Sequence, residues 1–131
     1  MTGDTDLATL LASLRPRLDP ETYVWIADAT AANAADAVVT VAEDEGLTAV
    51  VTQARALADG VPHEFPCRRI TLQVHSALEA VGLTAAFAAA LTEAGISANV
   101  VAGFHHDHIF VPADRADDAM AALEQLSRRG H

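Results

Sequence analysis

Ile70-Thr71-Leu72-Gln73-Val74 alternates apolar and polar positions strictly, which predicts a strand with one buried face. After it, Leu83, Phe87, Leu91 and Ala94 recur at close to the helical period. Gly95 then stands where a helix end favours a left-handed residue, with Ile96 as the apolar partner that follows such a cap. A second strand is predicted from Ala98 to Phe104, a tight turn at His105-His106-Asp107, and a third strand at His108-Ile109-Phe110-Val111, stopped by Pro112. Asp114 is placed to cap a last helix. Asp117 and Asp118 fall in its first turn and Arg128 and Arg129 in its last, which suits the helix dipole. Ala119, Leu123 and Leu126, with Met120 alongside, form its apolar stripe. The order β-α-β-β-α is a ferredoxin-like unit short of its fourth strand. That strand must come from the first half, or the sheet edge pairs with another chain.

The first half patterns less sharply. Leu7, Leu10, Leu11 and Leu14 predict an amphipathic helix, stopped by Pro16. Tyr23-Val24-Trp25-Ile26-Ala27 predicts a short strand, and the small, polar residues 29–36 a loop. Residues 38–42 and 47–52 predict two strands around Glu43-Asp44-Glu45-Gly46, where the glycine permits a tight return. Residues 53–59 predict a short helix closed by Gly60, and residues 62–66, bounded by prolines, a connector. This half is therefore a partial copy of the same unit at the level of architecture, with no residue-level repeat behind it. The expected fold class is α+β, with ferredoxin-like tandem modules, antiparallel sheets and helices on one face. The expected modules are residues 1–64 and 65–131.

Composition narrows the function. The 131 residues carry 8 Lys+Arg against 18 Asp+Glu, a net charge of −10, and every cation is arginine. Nothing here offers nucleic acid or an anionic membrane a basic patch. The longest apolar runs are far too short to span a bilayer, and no signal segment opens the chain, so a cytoplasmic domain is expected. A single cysteine excludes an intrachain disulfide and a multi-cysteine zinc site. No phosphate-binding glycine loop and no nucleophile elbow occur.

Four constellations can carry chemistry. Residues 75–82 open the central helix, where free backbone N–H groups favour an anion such as a carboxylate; Ser76 can add a hydroxyl and Glu79 can take an ammonium. Every strand-to-helix connection has such N–H groups, so an ordinary connection explains it equally. Glu43-Asp44-Glu45 can hold a guanidinium or an amine, or can be a solvated acidic hairpin. His105-His106-Asp107-His108 has the donors of a metal site. His106 and His108 share a face if extended, with His75 a third candidate; the alternative is that these groups satisfy turn hydrogen bonds. Clustered histidines also titrate under mild acidification. Cys67, between Pro66 and Arg68-Arg69, reads as a buried small hydrophobe rather than a nucleophile. Trp25 and Tyr23 read as core. Asn99 either bonds a ligand or faces solvent, and Gly103 signals a bulge or a close approach.

Several segments resemble those of the small ACT-domain proteins of bacteria, which are similar to the ACT repeats of arginine-sensing proteins. They are Glu43-Asp44-Glu45-Gly46-Leu47-Thr48, Arg68-Arg69-Ile70-Thr71-Leu72, Val81-Gly82-Leu83-Thr84-Ala85 and, most specifically, the run from Ala94 to Pro112 with Gly103-Phe104-His105-His106-Asp107-His108 at its centre. The resemblance covers about residues 5 to 128. It implies tandem ferredoxin-like modules, no catalytic centre, no cofactor, frequent homodimers and binding of a free amino acid or similar metabolite. It places the ligand on His75, Ser76, Leu78, Glu79, Val81, Gly82 and Leu83, facing Asn99, Val100, Val101, Ala102 and Gly103. Asp107, at the adjoining turn, is a further ligand-binding candidate. Cys67 departs from the pattern, since relatives carry an aromatic there, usually tryptophan. A module without an attached enzyme also needs a protein partner to read its state. The competing expectations are a ligand-free interaction or dimerisation module, and a metal-binding protein using His106, His108 and His75.

Overall fold

A computed structural model describes residues 3–73 and 82–129. The elements in chain order are α1 (Gly3–Ala12), β1 (Pro16–Leu18), β2 (Tyr23–Ile26), β3 (Val39–Glu43), β4 (Gly46–Thr52), α2 (Gln53–Asp59), β5 (Glu64–Leu72), α3 (Leu83–Glu93), β6 (Asn99–Ala102), β7 (Asp107–Pro112) and α4 (Ala116–Arg129), the last entered through a single 3-10 turn. All seven strands join one antiparallel sheet in the order β3-β4-β2-β5-β7-β6, with β1 also paired to β5.

β5 serves two ferredoxin-like units at once. Its first residues pair with β2, completing β5-β2-β4-β3. Its last residues pair with β1 on the same side and with β7 on the other, giving β1-β5-β7-β6. The fourth strand that the C-terminal pattern lacks is therefore β1, only three residues long. In the first unit, turns over residues 31–36 stand where a first helix would lie. The prolines predict a connector over residues 62–66, yet the strand begins at Glu64. The β2–β5 register shifts between Tyr23 and Trp25, and Phe65 adopts φ 58°. Pro66 is accommodated at that irregularity, where a missing N–H breaks no regular ladder.

Helices cover one face of the sheet. Leu83, Phe87 and Leu91 of α3 and Ala119 and Leu123 of α4 are fully buried against Ile70, Leu72, Ile109 and Val111, with α1 packed on α3 and α4. α2 closes a smaller cluster around Val24, Ile26, Ala49 and Val51. The opposite face buries its own large side chains. Tyr23, Trp25 and Phe65 gather around Phe110, and the Trp25 and Phe110 rings meet edge to face at 5.1 Å. Cys67, fully buried, sits in this aromatic cluster and donates its thiol to Tyr23 O at 3.3 Å.

The predicted end of α3 is present. Gly95 adopts φ 73°, its N–H donates to Thr92 O, and Ile96 N–H donates to Leu91 O, both at 2.9 Å. Arg115 then reaches back to the same helix end, donating to Ala94 O at 3.0 Å, a cation where the dipole is negative.

Candidate functional site

β5 runs out at Leu72, α3 begins at Leu83, β6 ends at Ala102 and β7 begins at Asp107. The pairings Leu72↔Asp107 and Ala102↔Asp107 bring these termini to one end of the sheet. Gly82 caps α3 there with φ 84°. His75, Ser76, Leu78, Glu79 and Val81 lie outside the described residues.

Asp107 is the distinctive group at this end. It is 1% exposed, and its Oδ2 has no hydrogen-bond partner among the described residues. Burial pushes its carboxyl up from the ordinary range. A buried carboxylate with a raised pKa and no partner among the described residues is a candidate for a functional group. It shares the helix-side face with Ile109 and Val111, whereas His108 faces the other way and bonds Thr71 Oγ1 through Nδ1 at 3.0 Å.

The turn at this end spans residues 103–106, and Asp107 already belongs to the strand. Gly103 explains the shift. Its N–H donates to His106 O at 2.9 Å, and a Cβ at this position would stand 2.8 Å from that oxygen. Phe104 at the tip is 79% exposed and meets His105 edge to face. His106 Nδ1 is buried without a partner among the described residues. Among the described residues, no three histidine, cysteine, aspartate or glutamate side chains converge on a metal position.

The structure separates the remaining candidates. Leu83 is buried in the helix-side core, and Val100 packs against that core. Val101 joins the aromatic cluster on the opposite face. Asn99 is exposed and pairs with Phe110, at the far end of β6 and about 10 Å from Ala102 along the strand. Cys67 also lies away from this end. Burial pushes its thiol up to about 12, so it is a packed group and not a nucleophile.

Two open clefts have no counterpart in the sequence reading. One, of about 420 Å³, lies between Trp25, Thr48, His63 and Glu64. The other, of about 260 Å³, lies beside β1 and β5 between Arg17, Asp19, Arg69 and Thr71. The alternation in β5 could have placed Arg69 and Thr71 on one face, but β1 is too short to announce that Arg17 joins them.

Models of the ACT domain match residues 2–68 and 64–125. A Vibrio cholerae protein of unknown function, described as a possible transport protein, is 42% identical over 96% of this chain and 99% of its own, with a TM-score of 0.86. An Agrobacterium tumefaciens protein shares the fold at 20% identity, covering 87% of this chain and 89% of its own, with a TM-score of 0.70. The ligand-free regulatory subunit of aspartate kinase from Thermus thermophilus shares it at 11% identity over 87% and 98%, with a TM-score of 0.60. No curated protein is detectably similar in sequence.

Proposed function

Because this chain belongs to the ACT-domain family, we propose that it is a regulatory module that binds a free amino acid or a similar small metabolite and performs no catalysis. ACT domains are typically regulatory, ligand-binding modules, and this fold serves as the regulatory subunit of aspartate kinase in Thermus thermophilus. The observation that carries the reading is Asp107, a buried carboxylate whose Oδ2 has no partner among the described residues, at the end of the sheet where β5 gives way to α3. An ammonium group is the natural counterpart of that oxygen. The free N–H groups at the start of α3 suit the carboxylate of the same ligand.

Binding would act by shifting how the modules pack, a change that a protein partner reads. We take the modules, residues 1–64 and 65–131, to respond as one unit, since β5 belongs to the sheets of both. A homodimer in the cytoplasm completes the proposal. β3 and β6 end the main strand order, and a second copy is the simplest cover for either. Among the described residues, no helix is long and apolar enough to cross a membrane.

A thermal-shift panel of the twenty amino acids and several divalent metals, each with and without EDTA, tests this. A ligand specific to the folded state raises the melting temperature by mass action. The expected result is a shift with one amino acid, unaffected by EDTA and lost in Asp107→Asn. Silence across the panel would leave a ligand-free interaction module, for which the exposed Phe104 and Val41 speak. A shift with metal alone would turn attention to His106 and His108.

A further inference from the structure

We propose that the cleft beside β1 and β5, formed by Arg17, Arg69 and Thr71, binds a small oxyanion, the carboxylate or phosphate group of a metabolite. The site is separate from the Asp107 end and does not depend on the amino-acid reading. It lies on the sheet face away from the helices.

The register makes the cleft. Arg17 pairs with Thr71, so both side chains leave the sheet on one side, and Arg69 follows two residues earlier on that face. Arg69 is held in place. Its Nη2 donates to Asp19 Oδ2 at 2.9 Å, and its Cζ stands 5.4 Å from the Tyr23 ring centroid. Its Nε–H is buried with no acceptor among the described residues. A buried donor left unpaired is costly, and an acceptor brought in by a ligand removes that cost. Asp19 does not provide it. Its Oδ1 accepts from Glu21 N at 2.9 Å, and its Oδ2 accepts from Tyr23 Oη at 2.7 Å as well as from Arg69. Arg17 joins none of the ion pairs among the described residues. Two guanidinium groups against one occupied carboxylate leave the cleft locally positive in a chain of net charge −10. At about 260 Å³ it fits a small anion rather than a large cofactor.

Thr71 supplies a further donor and a reporter. Its hydroxyl lies 3.0 Å from His108 Nδ1. If the hydroxyl donates its hydrogen to a bound oxyanion, His108 Nδ1 must carry a proton and donate to Thr71. His108 faces Arg17 from β1, Arg69 from β5 and His106 from the turn before its own strand, with Asp19 at the turn beyond. Burial and then those cations hold its pKa down, so an anion among them raises it.

Titration calorimetry of the full chain with inorganic phosphate and with acetate, in chloride buffer at about 0.15 M ionic strength, tests the proposal. The histidine ring nitrogens are followed by NMR in parallel. One-site binding is expected, weakened about tenfold in Arg17→Gln and in Thr71→Val, and unchanged in Arg128→Gln, an exposed arginine on α4. Arg17 is exposed, so its variant keeps the test open if Thr71→Val fails to fold. The His108 resonances should move to the Nδ1-protonated form, with the titration displaced to higher pH. The tighter of the two anions names the group. No binding of either at millimolar concentration, binding indifferent to Arg17→Gln, or equal weakening by Arg128→Gln overturns the proposal. Failure of Asp107→Asn to affect amino acids would bear only on the other site.

Discussion

Asp107 and His108 are consecutive in β7 and serve opposite faces of the sheet. Asp107 is buried on the helix side with Oδ2 unpaired among the described residues, and His108 bonds Thr71 on the other. Burial raises the Asp107 pKa above its unfolded value. In the window between the two values, the folded chain holds a proton that the unfolded chain releases. The group's contribution to stability is therefore greatest below the unfolded value and is lost as pH rises through the folded one. Asp107→Asn is expected to stabilise the ligand-free protein at neutral pH by ~1–3 kcal/mol and to flatten this part of the stability profile. Denaturant melts of both proteins between pH 3 and pH 8 measure it. Equal midpoints at pH 7 would mean that the carboxylate has a partner after all.

Tyr23 is the only tyrosine of the chain, so its ionisation can be followed by absorbance. Burial, then the hydrogen bond to Asp19, pushes it up to about 12. Asp19 shows the opposite outcome. Burial pushes it up, but the Glu21 amide, the Tyr23 hydroxyl and Arg69 together outweigh burial and lower it. Its stabilising share is present above the unfolded value and fades as pH falls through the lowered one. Asp19→Asn should bring the tyrosine titration down toward 10 and cost about 1–3 kcal/mol at pH 7, through loss of charge-assisted bonds. An unchanged tyrosine curve would contradict the Asp19 contact.

Cys67 should be inert in the native protein, since only the thiolate reacts and its thiol titrates far above neutrality. Labelling by a disulfide reagent at pH 8 is expected to track global unfolding, slowing with every stabilising condition. Rapid stoichiometric labelling of folded protein would show the aromatic cluster opening on its own.

Two glycines should differ sharply on substitution. Gly95→Ala meets no atom within 4 Å and suffers only the left-handed backbone, an expected loss of ~1–2 kcal/mol. Gly103→Ala forces a Cβ to 2.8 Å from His106 O, so the turn itself must move. It should cost more stability and also disturb the His108 resonances. Thermal melts with NMR of the histidines separate the two effects.

The C-terminal half was legible because its signals were local. Strict alternation marked the end of β5, Leu83, Phe87 and Leu91 marked α3, and Gly95 with Ile96 fixed its end. The turn before β7 is displaced because Gly103, not His105, closes it, and that depends on a carbonyl three residues away. The first half of β5 was hidden by Pro62 and Pro66, since its pairing relies on the register shift beside Trp25. β1 was hidden by length, as three residues show no periodicity. At the candidate site, the resemblance pointed to the neighbouring strand ends, and Asp107 stood as a candidate at the turn beside them. Its burial, and the lack of a partner for Oδ2 among the described residues, are tertiary facts. The Arg17–Arg69–Thr71 grouping depends on a pairing across 54 residues of chain, which no local pattern encodes.

The double duty of β5 has a mechanical consequence. A chain whose two units hang on separate strands can flex at the link between them, and a regulator of that kind signals by reorientation. Here there is no such link: a continuous nine-residue strand is hydrogen-bonded into both units. A disturbance at Leu72 can reach Glu64 only as twist or as a change in stiffness of the sheet, like torque along a shaft. A partner reading this protein would sense the curvature of one surface and not the angle between two bodies.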